Sequence, residues 1–534
     1  MHATVVVLRL ASSFVRHGSF DVISLGLIIT LQLVYAAAAR ILAVYPTPSI
    51  SHQIAFRPLT NELVRRGHEV TVITTDPAYK PNQAPPNLTE IDVHELSYTM
   101  WRDVLHSKSF GEVKDIHTQM SKIIRLINEI FYLQTQTKEV RNIIENKSGD
   151  YDLLLLEACA QPTLILSHIF KVPVIYISSM SPLEYHLKLI GAATHPLLYP
   201  SQFHQRLYNL SKWEKLHQMF NHLWIENELY QIQLDNDKVL KSMFGSDVPP
   251  LSDLFNNIHM IFFNVHPIWT DNQPVPSSVV YMGGIHKTPP RQLPQDLQLY
   301  LDSSKNGVIY FSLGTNVSPS LLPPEKIQMF VNVFSQLPYD VLLKWDKDVL
   351  PGKSENIKIF KWLPQSDVLR HPNLKLFITQ GGLQSTDEAI SAGVPLIGIP
   401  MLGDQWYNVE KYVLHKIGIR LDLASLNENE FRSAIAKITR DNSYRDNIVR
   451  LRILMEDQPQ SPLERAVWWT EHVLRHGGAK HLRAAGANIS WAEYLELELV
   501  LIVLIALFSI LLIMSLSIYV LWKLLKKKLT NYIK

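Results

Sequence analysis

Residues 362–405 read WLPQSDVLRHPNLKLFITQGGLQSTDEAISAGVPLIGIPMLGDQ, and their pattern decides the fold. The apolar run 374–378 has the length and side chains of a buried parallel strand. A turn follows at Thr379-Gln380-Gly381-Gly382, then a helical pattern to Ala392 that Gly393 is placed to cap, then a second short strand over 395–399. Gln380, Gln384 and Glu388 recur at a spacing of four, which predicts one polar stripe along that helix. The stripe begins where helix N–H groups lack partners, the place where a phosphate binds.

The same alternation extends in both directions. Downstream of residue 306, strands are expected at 308–312, 341–345 and 357–361, with helices between them and a closing helical stretch over 428–475. The loop Leu313-Gly314-Thr315-Asn316 lets backbone approach a ligand closely. Upstream, ILAVY at 41–45, a turn marked by Pro46 and Pro48, a helix over 51–66 stopped by Gly67, and a strand over 70–74 make a right-handed βαβ opening. Further strands are expected at 153–156, 174–177 and 261–264, and residues 181–241 read as helices and loops lining an acceptor pocket. Prolines 274, 276, 289 and 290 break both periodicities and mark a linker. Alternating strands and helices on both sides of it predict two doubly wound parallel sheets. No G-x-G-x-x-G follows any strand, which excludes a nicotinamide-dependent dehydrogenase.

The segment 362–405 resembles the signature of the UDP-glycosyltransferase family over its whole length. The resemblance implies the GT-B architecture, two Rossmann-like domains facing a cleft, and inverting transfer of a sugar from a UDP donor to a hydroxyl of a small lipophilic acceptor. It implies that Trp362 stacks on uracil, Gln365 bonds the nucleoside, and Gln380 with Gly381 and Gly382 holds the diphosphate. Gln384 stands in the same donor site, Glu388 takes the ribose hydroxyls, and Asp404 and Gln405 take those of the sugar, with Gly314 and Thr315 closing the donor site from the preceding loop. The family often has His where this chain has Gln380 and Asn where it has Gln384, so a charge-assisted phosphate contact is lost. The run TQGGLQSTDEA is similar to invertebrate members, which implies UDP-glucose rather than UDP-glucuronate.

His52 stands just past the first strand at a helix start, the edge of a parallel sheet where ligands bind. The resemblance makes it the general base and Glu157, after the run YDLLLL, its orienting carboxylate, where the family more often has Asp. Asp152 is the rival; it precedes its strand instead of following it. Taken alone, a His after a strand is a helix cap or a satisfied polar group, and Trp362 and Glu388 are a core aromatic and a solvated helix residue. Their spacing within one long match lifts them above those readings. No metal and no cofactor are expected: Asp235-Asn236-Asp237 and Asp346-Lys347-Asp348 imitate a metal-binding D-x-D, but both read as surface.

A chain of 534 residues with 47% hydrophobic side chains has room for two cores, and a net charge of +2 argues against nucleic acid as partner. Cys159 is the only cysteine, so no intrachain disulfide forms. Arg9 and Arg16 precede an apolar run over 22–35 and small residues at 36–39, a secretory leader, with a retained N-terminal anchor as the alternative. Residues 499–522 are continuously apolar and long enough to span a bilayer, and Lys523, Lys526, Lys527 and Lys528 follow. The division expected is a signal peptide at 1–39, an acceptor domain at 40–270, a linker at 271–305, a donor domain at 306–475, a membrane-proximal segment at 476–498, the span at 499–522 and a basic tail at 523–534. The positive-inside rule then puts the tail in the cytosol and the body in the lumen of the endoplasmic reticulum as a single-pass type I protein. Asn87, Asn146, Asn209 and Asn488 become glycosylation acceptors there. A binding protein without turnover stays open as a second class of function, and self-association stays open.

Overall fold

The computed structural model describes residues 38–105, 116–145 and 151–532. The leader, the sequon at Asn146 and the last two residues lie outside the described residues.

Two parallel sheets form the body. The first has the order β3-β2-β1-β4-β5-β6-β7, and the second β10-β9-β8-β11-β12-β13. In the first sheet, β1 (Arg40–Tyr45) pairs with β2 (Glu69–Thr74) on one side and β4 (Leu153–Glu157) on the other, and β3 (Leu88–Asp92) lies outside β2. Strands β5 (Val174–Ser178), β6 (Ile258–Phe263) and β7 (Val279–Tyr281) continue outward from β4. The second sheet repeats the plan: β8 (Val308–Ser312) lies between β9 (Asp340–Lys344) and β11 (Leu374–Thr379), with β10 (Ile357–Phe360) outside β9. Strands β12 (Leu396–Gly398) and β13 (Gly418–Arg420) lie beyond β11. The winding direction therefore reverses between β1 and β4, and again between β8 and β11. Such a switch point opens a crevice at the carboxyl ends of the two strands, where ligands of doubly wound sheets bind. Residues 41–44 and 153–156 are wholly buried, as expected for strands covered by helices on both faces.

The short strands β3, β7 and β13 lack a clear pattern in the sequence. β7 falls within the proline-rich stretch read as a linker: with three residues, it hydrogen-bonds only to β6 as the edge of the first sheet, where neighbouring prolines do no harm. The halves are joined by more than this connection. Trp269 Nε1 donates to Asn408 Oδ1 at 2.9 Å, and the buried Lys411 ammonium meets Asp271 at 2.6 Å. Helix Pro462–Arg475 returns from the second half to lay Ala466, Val467 and Val473 into the core of the first sheet. Beyond it, helix Leu497–Tyr532 runs for 36 residues with an apolar window of mean hydropathy 3.2, none of it buried.

Candidate active site

At the first switch point, the turn after β1 leads into helix α1 (Ile50–Arg65), which carries His52 in its first turn. Glu157 closes β4 and is wholly buried. The His52 Nδ1 lies 2.6 Å from Glu157 Oε1, while Glu157 Oε2 accepts from the Thr47 backbone N–H at 3.1 Å. A carboxylate only accepts, so Nδ1 carries the proton and Nε2 is left as the basic nitrogen. Phe56, one turn on, meets the imidazole edge-on at 6.5 Å between centroids. Asp152 sits at the opposite end of β4, accepting from the Arg40 N–H at 2.7 Å, far from His52 along the strand.

At the second switch point the loop after β8 meets the loop after β11. Gly314 takes φ +76°, and a Cβ there would come within 2.2 Å of the Gln380 side-chain nitrogen. Glycine thus serves both the backbone angle and the close approach. Gln380 itself is buried, its Oε1 without a partner. The stripe expected from the sequence is corrected here: the helix, α6 (Leu383–Ala392), starts after Gly382, so Gln380 precedes it and only Gln384 and Glu388 share its face. The glycine pair holds off the start of the helix, with Gly381 at φ +92° and Gly382 extended at the cap. Gln384 Nε2 reaches across to the Ser179 carbonyl at 3.0 Å. Gln365 Nε2 donates to Glu388 Oε2 at 2.7 Å and to Ser385 Oγ at 2.9 Å, and its oxygen accepts from the Tyr310 hydroxyl at 3.2 Å. Burial raises the Glu388 carboxyl above its ordinary value. Trp362 is 61% exposed, a platform and not a core residue.

Asp404 precedes helix α7 (Gln405–Leu414) and accepts from Asn408 Nδ2 at 2.9 Å. Burial pushes its carboxyl up to about 6, against the opposing pull of Asn408 and of nearby His52. The Gln405 oxygen accepts from the Met401 and Leu402 N–H groups, each at 2.8 Å.

His52 and the second-half residues Gly314, Thr315, Trp362, Gln365, Gln380, Gly382, Gln384, Glu388, Asp404 and Gln405 line one cavity of about 490 Å³ between the sheets. Gly381 does not line it. Its backbone lies behind, packed against Val409. The apolar wall comes from Trp101 on helix α2 (His94–Leu105) and from Met120, Ile123, Ile124 and Ile127 on helix α3 (Ile116–Gln134). Of residues 181–241, only Leu183 and Gln202 reach it. Those residues instead build helix α4 (Glu184–Ile190) and helix α5 (Lys212–Phe244), which pack behind the wall.

Sequence reasoning missed Lys344. Its ammonium donates to the Gly314 carbonyl at 2.6 Å and stands 4.7 Å from the Trp362 ring centroid, and burial pulls it down to about 8. The signal was a lysine ending the apolar strand VLLK. Asp346, read as surface, stands two residues past the end of β9 and lines an adjoining cavity with Lys344, its oxygens held by the Ser320 N–H and hydroxyl. Asp348 is exposed and pairs with Lys361; Asp235 pairs with Arg125 on the outer surface. Among the described residues, metal-ligand atoms converge within 4.8 Å at His52, Glu157 and Cys159. His52 Nδ1 there is already engaged by Glu157, and burial holds the thiol protonated, so the trio is a poor match for a cation.

The family model described as UDP-glucoronosyl and UDP-glucosyl transferase matches residues 39–531. The chain belongs to this family. An ecdysteroid UDP-glucosyltransferase of Spodoptera littoralis nuclear polyhedrosis virus is 37% identical over 492 residues, 89% of this chain and 95% of that protein. A UDP-glycosyltransferase of Dactylopius coccus is 33% identical over 503 residues, 91% of this chain and 93% of that one. Among solved structures, the kitacinnamycin glycotransferase superposes with a TM-score of 0.56 at 18% identity, covering 83% of this chain and 99% of that one. VinC, solved in complex with DTDP, gives 0.53 at 14% identity, covering 82% and 100%. The fold is GT-B and the protein is an enzyme, a glycosyltransferase using a UDP-sugar donor.

Proposed function

We propose that this UDP-glycosyltransferase moves glucose from UDP-glucose to a hydroxyl of a small lipophilic acceptor with inversion at the anomeric carbon. The observation that carries the reading is His52, held by the buried Glu157 and lining the same cavity as Gln380, Gln384 and Glu388. His52 Nε2 takes the acceptor proton as the acceptor oxygen bonds to the anomeric carbon from the face opposite the diphosphate. The bond from that carbon to the phosphate oxygen breaks, and UDP leaves with the electron pair. Glu157 holds the imidazole in the working tautomer and steadies the imidazolium.

Trp362 stacks on uracil, Gln365 bonds the nucleoside, and Glu388 accepts from the ribose hydroxyls. Asp404 and Gln405 take the sugar hydroxyls. The diphosphate rests against Gln380, Gln384, the loop at Gly314 and Thr315, and the start of α6 with its preceding Gly381-Gly382 pair. Lys344 supplies there the positive charge that Gln380 lacks, with no metal required. The relatives named UDP-glucosyltransferases favour glucose, and the isoleucine wall of α3 favours an apolar acceptor.

Helix α8 (Pro462–Arg475) ties the donor half to the first sheet, and helix α9 (Leu497–Tyr532) crosses the membrane with its lysines cytosolic and the body in the lumen of the endoplasmic reticulum. In that compartment Asn209, exposed, accepts a glycan with least disturbance. The Asn87 amide already donates to the Val64 and His68 carbonyls, and that of Asn488 to the Ser252 carbonyl and Asn256 Oδ1. The test is to supply membranes carrying the protein with UDP-glucose, UDP-glucuronate or UDP-N-acetylglucosamine plus mixed phenols and to measure UDP release. Release with UDP-glucose that needs acceptor is expected; release equal without acceptor, or only with another donor, sinks the reading.

A further inference from the structure

Asn408 is wholly buried on α7, and its amide is fully engaged in one orientation. The nitrogen donates to the Gly381 carbonyl and to Asp404 Oδ2, each at 2.9 Å, while the oxygen accepts from the Trp269 indole N–H at 2.9 Å. Turned over, the amide would set its oxygen against two oxygens and its N–H against another N–H, so the three contacts fix it. Two of them support the site from behind. Asp404 lines the cavity one turn before Asn408, on the same side of the helix, and Gly381 belongs to the loop that leads into α6.

The third contact comes from the other half. Trp269 stands in the turn between β6 and β7 of the first sheet and is 1% exposed. Its carbonyl accepts from the Tyr407 hydroxyl at 2.9 Å, and its ring stacks on His415 at 5.7 Å between centroids. Trp269 is thus clamped along α7, with its indole N–H aimed at a side chain that reaches both Asp404 and the Gly381 loop. Without that N–H the Asn408 oxygen is a buried acceptor with no partner, and its amide gains by turning away from Asp404.

We propose that Trp269 is a positioning residue for the donor sugar: acting through Asn408, it sets the Asp404 carboxylate where the sugar hydroxyls meet it, so that the first half completes a seat carried by the second. The inference rests on the reading of Asp404 as the acceptor of those hydroxyls.

The test titrates the full-length protein in detergent with UDP and with UDP-glucose by calorimetry, in the absence of acceptor, which separates sugar contacts from nucleotide contacts. Trp269→Phe keeps a ring against α7 and deletes the N–H. It is expected to weaken UDP-glucose by roughly three- to tenfold, the scale of one hydrogen bond, and to leave UDP unchanged. Tyr407→Phe removes the neighbouring bond between the halves but not the indole contact, and is expected to keep the wild-type ratio of the two affinities. A second readout is pH. Burial holds the Asp404 carboxyl up at about 6, with Asn408 and His52 pulling against it; Cys159 and Tyr412 also feel its charge, and burial raises both of them. Asn408→Leu deletes a donor to the charged form, so Asp404 rises further and the acid limb of UDP-glucose affinity should move to higher pH, with His52 common to both proteins. In Trp269→Phe, an unchanged affinity for UDP-glucose or an equal loss of UDP overturns the inference. So does the same loss of UDP-glucose in Tyr407→Phe, or an acid limb that stays in place in Asn408→Leu. Asp404→Asn tests the reading beneath it. If that variant binds UDP-glucose as the wild type does, the sugar assignment falls and this inference with it, whereas a loss there without one in Trp269→Phe overturns this inference alone.

Discussion

The two switch points share a geometry and differ in how finished they are. Between β1 and β4 the polar groups satisfy one another: Glu157 spends one oxygen on His52 and the other on the Thr47 N–H. Between β8 and β11 they do not: Gln380 holds a buried oxygen without a partner, Glu388 is half-buried with a raised carboxyl, and Lys344 is held well below its ordinary value. A proton-transfer group must stand in one tautomer before substrate arrives. A seat for a dianionic leaving group instead gains from donors and charges that are completed by the ligand. On the proposed assignment, the half that carries His52 is thus preassembled, and the half that seats the donor carries a desolvation cost that UDP offsets on binding.

The sharpest way to break this contrast is to remove the base. His52→Ala is expected to lower kcat by about a thousandfold, within the range for general base catalysis, while the affinity for UDP measured by calorimetry stays put. Glu157→Gln keeps the shape but lets an amide face Nδ1, and is expected to cost about a hundredfold in kcat. If either variant weakened UDP binding instead of turnover, the division of labour between the halves would be wrong.

The donor half should respond in the opposite sense. On the proposed assignment, Glu388→Ala removes an ionic acceptor of ribose hydroxyls, and hydrogen bonds to charged groups are worth about 1.5–3 kcal/mol. Donor KM is expected to rise by roughly ten- to a hundredfold at nearly constant kcat. For Lys344→Met the expected rise is about tenfold, the scale of one charge-assisted contact. Lys344 at about 8 loses its proton within a measurable range, so wild-type donor affinity should fall as pH rises through 8, and Lys344→Arg should flatten that limb. A donor affinity indifferent to pH between 7 and 9 would detach Lys344 from the diphosphate.

Much of this was legible because the strands are buried on both faces and therefore read as unbroken apolar runs: β1, β4, β8 and β11, the four that form the switch points, all stand out in the sequence. The edge strands β7 and β13 did not, since three residues carry no periodicity and their pairing is decided by the neighbour they reach. The apolar wall was assigned to the wrong stretch for a similar reason. Both α3 and α5 are rich in apolar side chains in the sequence, and only tertiary packing shows that α3 faces the cavity while α5 lies behind it. Lys344 was invisible because a lysine at a strand end is ordinarily solvated. Its depressed value comes from the walls around it, not from its neighbours in the chain.

The smallest expected effect bears on the cost carried by the donor half. Asp387, beside Glu388 on α6, is buried with one oxygen unpartnered, and burial pushes it up to about 7, with Lys287 opposing and Glu388 adding to the rise. A carboxyl whose folded value exceeds its unfolded one favours the folded state at low pH, and that contribution is lost as pH rises from about 4 through 7. Asp387→Asn keeps the shape and removes the charge. It should therefore raise stability at pH 8 by about 1–3 kcal/mol, a shift of a few degrees in Tm for a protein of this size, and change nothing at pH 4. Scanning calorimetry of the two proteins at both pH values decides it. A gain of equal size at pH 4 would mean that the benefit comes from hydrogen bonding by the new amide. A loss at pH 8 would mean that the Asp387 charge is matched by Lys287, and that the donor half is as finished as the catalytic one.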